Sequence, residues 1–513
     1  MNKRNVFRLV IAIGAAGWLA WMQLVPHRDA SRGQAIAHEQ LPPPPPRRLG
    51  SLLFKPCTLT NPMAVATVEA QCTQMTVPED WDHPGGRTLS LAIAWVPATG
   101  DDVAPDPVFM LAGGPGQSAL DSFPGAAAAF AETLKKRNVL LVDQRGTGHS
   151  NPLQCKDASD STQSAAQDDQ AAVRAFTTRC LATLEKKADL RRYTTTDAIH
   201  DLDAVRAAIG ADKIDLVGIS YGTRVAQQYA RTFAAHTRAV VLDSVAPNTL
   251  IFGNEFARNL DDALALNFQL CAHTPACVKR NGDPRAHLDQ LLAQLKAHPQ
   301  PVQWRDPMTG AWRQGTLTRD DVSMLARLYA YMPMALATLP LTLADASDGH
   351  YGPIKAQAQL VNGNLGESMM VGMQLSVICA EDADGFKRDP AQAGSVLGDS
   401  LLEALQTQCA IWPHGPRPAD FHQPLVSDLP ILVLEGQFDP VTPPRYGEEV
   451  VQHLRNGRLL VLHGQGHNVM GVGCMPKLMA RFIDTADAKS LDATCLDKLP
   501  DTPPFTSYSG WEP

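Results

Sequence analysis

Short apolar runs recur along the chain, each ending in a glycine-rich or acidic turn. Residues 108–111, 139–142, 214–217, 240–242, 431–434 and 459–462 are of this kind. They carry almost no polar residue on either alternate, which marks strands covered on both faces. Residues 91–96 alternate larger side chains with alanine and read as a further strand. Between these runs lie stretches of helical spacing. Residues 198–209 place Ile199, Leu202, Val205, Ala208 and Ile209 on one side, with Asp197 predicted as the N-cap and Gly210 as the residue just past the end. Residues 223–230 read as another helix. Strands alternating with helices predict an α/β architecture: a mostly parallel central sheet with helices on both faces.

The pattern changes over residues 248–427. Segments 257–271, 284–297, 320–335 and 396–408 read as helices, with few convincing strands. This predicts a helical cap inserted into the sheet domain. The core would then comprise residues 51–247 and 428–513, with no internal repeat. Residues 500–513 are rich in proline and polar side chains and are expected to be loose.

The first residues read differently. Lys3, Arg4 and Arg8 precede a nearly unbroken apolar stretch over residues 9–25, containing Trp18 and Trp21. Residues 1–26 therefore read as an export signal, or as an uncleaved anchor that would hold the protein to a membrane. Ala35-Ile36-Ala37 resembles a cleavage site but lies well beyond the apolar run. Residues 27–50 form a linker with five consecutive prolines, Pro42 to Pro46, a stiff spacer. Either reading puts the body of the protein outside the cytoplasm, periplasmic or secreted. There are ten cysteines, and an even number in an exported chain suggests disulfides. Sequence neighbours give Cys57–Cys72, Cys155–Cys180, Cys271–Cys277, Cys379–Cys409 and Cys474–Cys495. The chain has 513 residues, 44% hydrophobic and 19% charged, with net charge −8. No basic stripe supports nucleic-acid binding, and no metal motif is present.

The chemistry concentrates after residue 217. Gly218-Ile219-Ser220-Tyr221-Gly222 sits between an apolar strand and a helix. Glycines flanking a serine at such a junction allow the sharp turn that presents a nucleophile at a helix N-terminus. A serine hydroxyl needs a base, and the base needs an acid to orient it. Asp439 follows the strand over 431–434, and His467 follows the strand over 459–462. Serine, acid and histidine thus come in the expected chain order. Glu435 is the alternative acid and His463 the alternative base; both lie nearer their strand ends. An oxyanion needs two N–H donors. Tyr221, the residue after the nucleophile, supplies one; Gly114, in Gly113-Gly114-Pro115-Gly116, is the candidate for the other. Asp143-Gln144-Arg145-Gly146-Thr147-Gly148 ends another strand, and Arg145 is read as bracing loops rather than touching substrate.

Taken together these segments resemble the exported α/β-hydrolases of the proline iminopeptidase and tripeptidyl aminopeptidase group of serine peptidases. The similarity also rests on Gly436-Gln437-Phe438-Asp439-Pro440-Val441-Thr442-Pro443 and Gly464-Gln465-Gly466-His467, and it runs from about residue 50 to the end. The C-terminal part resembles the domain typical of the tripeptidyl aminopeptidases. Ala112 departs from the histidine that intracellular iminopeptidases carry there, which favours the secreted branch. The resemblance implies an α/β-hydrolase fold and removal of N-terminal residues or tripeptides from peptides. It implies no cofactor. It also places acidic groups that bind a free α-ammonium in the cap, where Glu381 and then Asp382 are the candidates. The alternative is a carboxylesterase or amidase acting on small esters or amides with the same three residues. A non-catalytic binding protein of the same fold would be expected to lack one of the three.

Overall fold

A computed structural model describes residues 45–61, 64–155 and 169–511. The apolar stretch over residues 9–25 lies outside them, so the signal or anchor and most of the linker are not part of the fold described. Residues 46–513 form one compact unit.

Ten strands make the central sheet: β1 (Arg47–Leu49), β2 (Leu52–Asn61), β3 (Ala64–Pro78), β4 (Thr88–Val96), β5 (Val108–Leu111), β6 (Val139–Val142), β7 (Ile214–Ile219), β8 (Thr237–Asp243), β11 (Ile431–Gly436) and β12 (Gly457–Leu462). Between β8 and β11 the chain forms a separate hairpin, β9 (Gln300–Arg305) with β10 (Trp312–Leu317). The order across the large sheet is β1-β2-β3-β4-β6-β5-β7-β8-β11-β12. The six strands from β6 to β12 run parallel to one another. β1 to β4 form an antiparallel extension that joins them through β4 and β6.

Successive residues of each strand go to opposite faces, and the buried residues sort accordingly. Phe109, Leu111, Leu216, Leu242 and Val433 join one core. Val108, Met110, Val217, Val241 and Leu434, their neighbours along the strands, join the other. This two-faced burial is the physical reason that the strand sequences are apolar throughout. A third core belongs to the segment between β8 and β11. There Leu260, Leu264, Leu291, Val322, Leu325 and Leu343 pack together, on helices that include Phe256–Ala272, Pro284–Ala297, Arg319–Ala330 and Leu339–Ser347.

Four details differ from the sequence reading. The strands β1 to β3 were not anticipated; they carry polar residues throughout and lack the unbroken apolar runs that mark strands covered on both faces. The β9–β10 hairpin interrupts a segment expected to be helical. The helix read over 198–209 spans Thr195–Ala208; Thr194, not Asp197, caps it by accepting the Asp197 N–H, and Asp197 in turn accepts the Thr194 hydroxyl. Gly210 does follow its end, at φ 75°. Finally, the C-terminal stretch is pinned rather than loose. Phe505 N–H bonds Ala337 O, Asn281 donates to Phe505 O, and Tyr508 OH donates to Asp345.

The five disulfides join the neighbouring pairs expected. Two lie in the segment between β8 and β11, and Cys57–Cys72 ties β2 to β3.

The end of β5 packs tightly against the helix Tyr221–Thr232. A Cβ at Gly222 would stand 2.2 Å from Leu111 O and 2.7 Å from Ala112 O, both backbone atoms. Gly222→Ala is therefore expected to cost about 3 kcal/mol or more, measured as a loss of unfolding free energy in denaturant. A change within error would show that β5 can shift to make room.

Candidate active site

Ser220 ends β7 and opens the helix Tyr221–Thr232. Its backbone is held at φ 55°, ψ −123°, a region costly for a residue with a Cβ. The glycines on either side make that turn possible. A Cβ at Gly218 would meet Gly222 O at 2.4 Å. Ser220 N–H donates to Asp243 O at 2.9 Å, so the turn is anchored on the end of β8. Tyr221 is the first helical residue, and its N–H has no acceptor within the helix. The glycine loop after β5 lies against this turn. A Cβ at Gly113 would be 3.1 Å from Ser220 Cβ, and Gly114 sits at φ 109°, open to glycine. The glycine loop thus meets the Ser220 turn through Gly113, next to Gly114, at a helix N-terminus, where an anion is favoured.

Asp439 and His467 are brought together from the loops after β11 and β12. His467 Nδ1 lies 2.7 Å from Asp439 Oδ2. The carboxylate is fixed from its other side by Val441 N–H and Thr442 N–H, each 2.8 Å from Oδ1, and by the Thr442 hydroxyl at 3.0 Å. With Nδ1 committed, Nε2 is the nitrogen free to carry a proton. Burial pushes the imidazole pKa down, but the charge and hydrogen bond of Asp439 more than offset this, and the net value lies above the ordinary one. Ser220 Oγ makes no hydrogen bond among the described residues; such contacts often tighten only around substrate. The two alternatives stand elsewhere. Glu435 is wholly buried, accepts Val245 N–H and makes no contact with His467. Burial, together with the charges of Asp439 and Asp243, holds its carboxyl well above the usual range. The side chain of His463 is 57% exposed and faces Asp501.

Glu381 and Asp382 end the helix Val371–Glu381, and both are fully buried. Asp382 takes the Arg224 guanidinium at 3.0 Å, while Glu381 is 3.9 Å from the same group. Glu381 accepts Thr195 N–H at 2.7 Å and the Thr195 hydroxyl at 3.0 Å. That hydroxyl meets Tyr221 OH at 2.7 Å, which also receives Gln144 Nε2. A polar chain thus runs from Gln144 through the residue after Ser220 to Glu381. Burial, offset in part by Arg224, pushes the Glu381 carboxyl up to about 8. Arg145 makes a bidentate pair with Asp201 and donates to Pro78 O, Glu79 O and Arg192 O, which is a brace.

Four contributors were missed in the sequence. Asp243 accepts Val469 N–H and Met470 N–H at 2.9 Å, just past His467, and burial pushes its carboxyl up to about 6. Ser244 accepts Asn468 N–H. Tyr331 accepts His467 N–H at 3.0 Å and sets its ring edge against the imidazole. Met370 N–H bonds Gly116 O, so the Met369-Met370 link lies across the glycine loop. An acidic residue at a strand end was the only visible signal, and it pointed to Asp243 alone.

Comparison with known proteins adds the following. The family described as alpha/beta hydrolase fold matches residues 106–473. Serine protease Hip1 of Mycobacterium tuberculosis (strain H37Rv) is 26% identical, with 86% of this chain and 90% of that protein covered. Tripeptidyl aminopeptidase of Streptomyces coelicolor is 25% identical, with 83% of each chain covered. Carboxylesterase B of M. tuberculosis (strain CDC 1551) is 33% identical, covering 81% of this chain and 84% of that one.

The Asp439–His467 pair can be read by titration. Its folded pKa lies above the ordinary one, so the pair stabilises the fold at low pH and loses that contribution as pH rises through the folded value. Asp439→Asn is expected to lower the His467 pKa, followed by NMR of the ring protons across pH. An unchanged value would mean that Asp439 is not the dominant partner.

Proposed function

The chain belongs to the alpha/beta hydrolase fold family, and on that footing we propose that it is an exported serine exopeptidase that shortens peptides from a free N-terminus. The observation that carries the reading is the Asp439–His467 hydrogen bond of 2.7 Å beside a serine held at φ 55° on a nucleophile turn. The relatives named Serine protease Hip1 and Tripeptidyl aminopeptidase support a peptide substrate. Five disulfides support an oxidising compartment.

In this reading Ser220 Oγ attacks the scissile carbonyl carbon while His467 Nε2 takes its proton. Asp439 holds Nδ1–H and stabilises the imidazolium that forms. The negative charge on the carbonyl oxygen is received by the Gly114 and Tyr221 N–H groups, a pre-aimed pair that needs no reorganisation. Collapse breaks the C–N bond, and His467 returns its proton to the departing amine. Water then adds to the acyl-Ser220 ester by the same route and frees the acid.

The free α-ammonium is assigned to Glu381, backed by Asp382. Glu381 needs a cation to stay ionised at its depth, and Arg224 is closer to Asp382. Its two bonds from Thr195 leave further acceptor capacity on the carboxylate. Carboxylesterase activity on small esters is the second reading, favoured by the resemblance to Carboxylesterase B.

Two measurements test these assignments. Purified protein is expected to hydrolyse free-amine prolyl or tripeptidyl amides, with kcat falling about 10⁵–10⁶-fold in Ser220→Ala. Turnover of a short acyl ester alone would transfer the protein to the esterase reading. Glu381→Gln is expected to raise KM for free-amine peptides about tenfold or more, with N-blocked esters much less affected. Equal loss on both, with a lowered melting temperature, would give Glu381 a purely structural role.

A further inference from the structure

Arg327 is a half-buried cation whose partners differ from those of the buried arginines. Arg145 is paired with Asp201, Arg224 with Asp382, and Arg137 with Asp106. Arg327 has no such carboxylate among the described residues, and its Nη1 is shut off from solvent without a hydrogen bond. The guanidinium lies over the ring of Phe256, 4.8 Å from its centroid. That contact stacks the flat of the group and does not use the Nη1 donors. A donor shut off from water without an acceptor is unfavourable, and an incoming negative group would complete it.

Its position says what that is. Arg327 occupies the last turn of the helix Arg319–Ala330, four residues before Tyr331 and so on the same face. Tyr331 is the residue whose carbonyl and ring hold His467. A Cβ at Gly466 would meet the backbone oxygens of Tyr331 and Ala330, so this helix end is packed directly on the histidine loop. Arg327 is also close enough to oppose the protonation of His467. Arg327 therefore stands on the helix end that packs against the histidine loop, within electrostatic reach of the imidazole.

We propose that Arg327 binds a carboxylate of the substrate next to His467, and that the enzyme selects peptides carrying a negative charge close to the bond it cleaves. Two sources share this chemistry: the C-terminal carboxylate of a short peptide, and an acidic side chain flanking the bond. A guanidinium suits either, since its fork matches a carboxylate in two bonds. The proposal takes its substrate class from the peptidase reading, and it concerns a specificity group separate from the ammonium site.

The test uses full-length protein and matched free-amine peptides. One pair differs by a C-terminal carboxylate against a carboxamide. The other is amidated and differs by Glu against Gln next to the bond. The readout is the ratio of kcat/KM, charged over neutral, in each pair. Wild type is expected to favour the charged member of one pair by about tenfold or more. R327M should bring that ratio to near one, and R327K should keep part of it. The responding pair identifies the source of the carboxylate. Ratios near one for wild type in both pairs would overturn the proposal, as would a preference that survives in R327M. A helix-packing role would lower both members of a pair equally and leave the ratio intact, which also counts against it. If no peptide is cleaved but esters are, the peptidase reading fails on its own. The ratio is then read with a hemisuccinate ester against its methyl-capped form, and the same two outcomes decide.

Discussion

Asp243 is the residue on which the two halves of the candidate site hang. Its backbone oxygen takes the Ser220 N–H, and its carboxylate takes the N–H groups of Val469 and Met470, immediately after His467. One strand end thus sets the position of a turn from the middle of the chain and of a loop far downstream. The carboxylate is fully buried. Buried acceptors are tolerated only when their donors are in place. The same bonds that make this buried group acceptable also tie the Ser220 turn and the His467 loop to one strand end. Neighbouring Ser244 adds a third bond, to Asn468 N–H.

Among the polar contacts that tie the segment between β8 and β11 to this framework, three lie at the candidate site. Asp382 closes on Arg224 from the nucleophile helix, Met370 N–H reaches Gly116 O, and Tyr331 O takes His467 N–H. Each point involves a residue at or next to a group that the proposed reaction uses. Substrate preference and catalytic geometry are consequently not independent. A change in the covering helices is felt by the imidazole through Tyr331 and by the glycine loop through Met370. The buried charges behave alike: Arg224 and Asp382 cannot be separated without leaving one of them unpaired.

Much of this was legible in the sequence because strong local rules and the fold agreed. The strand positions of β5 to β8, β11 and β12 followed from apolar runs that only two-sided burial explains. Ser220, Asp439 and His467 followed from turn chemistry at strand ends, and the structure brings the last two to hydrogen-bonding distance. The cysteine pairs followed from proximity in the chain. What could not be read depends on tertiary contact. Tyr331 and Met370 act through backbone atoms, which any side chain would supply. In the β9–β10 hairpin, β10 is exposed at all but its last residue and lacks the alternation that reveals a strand, while β9 alternates over only six residues. Asp197 looked like a cap, but three threonines precede it, and any of these four residues has the side chain to begin that helix. The pinned C-terminal stretch owes its order to Asn281, Ala337 and Asp345, more than a hundred and fifty residues away.

The disulfides have a bearing on how the chain reaches this state. Every bridge spans 30 residues or fewer, and none links the covering segment to the sheet. A polypeptide threaded outward from its N-terminus can close each bond soon after the second cysteine appears, before the next pair is exposed. Correct pairing then follows from the order of emergence, with no need to hold an unpaired thiol until a distant partner arrives. The long-range assembly of nucleophile, acid and base is left entirely to non-covalent packing once synthesis is complete.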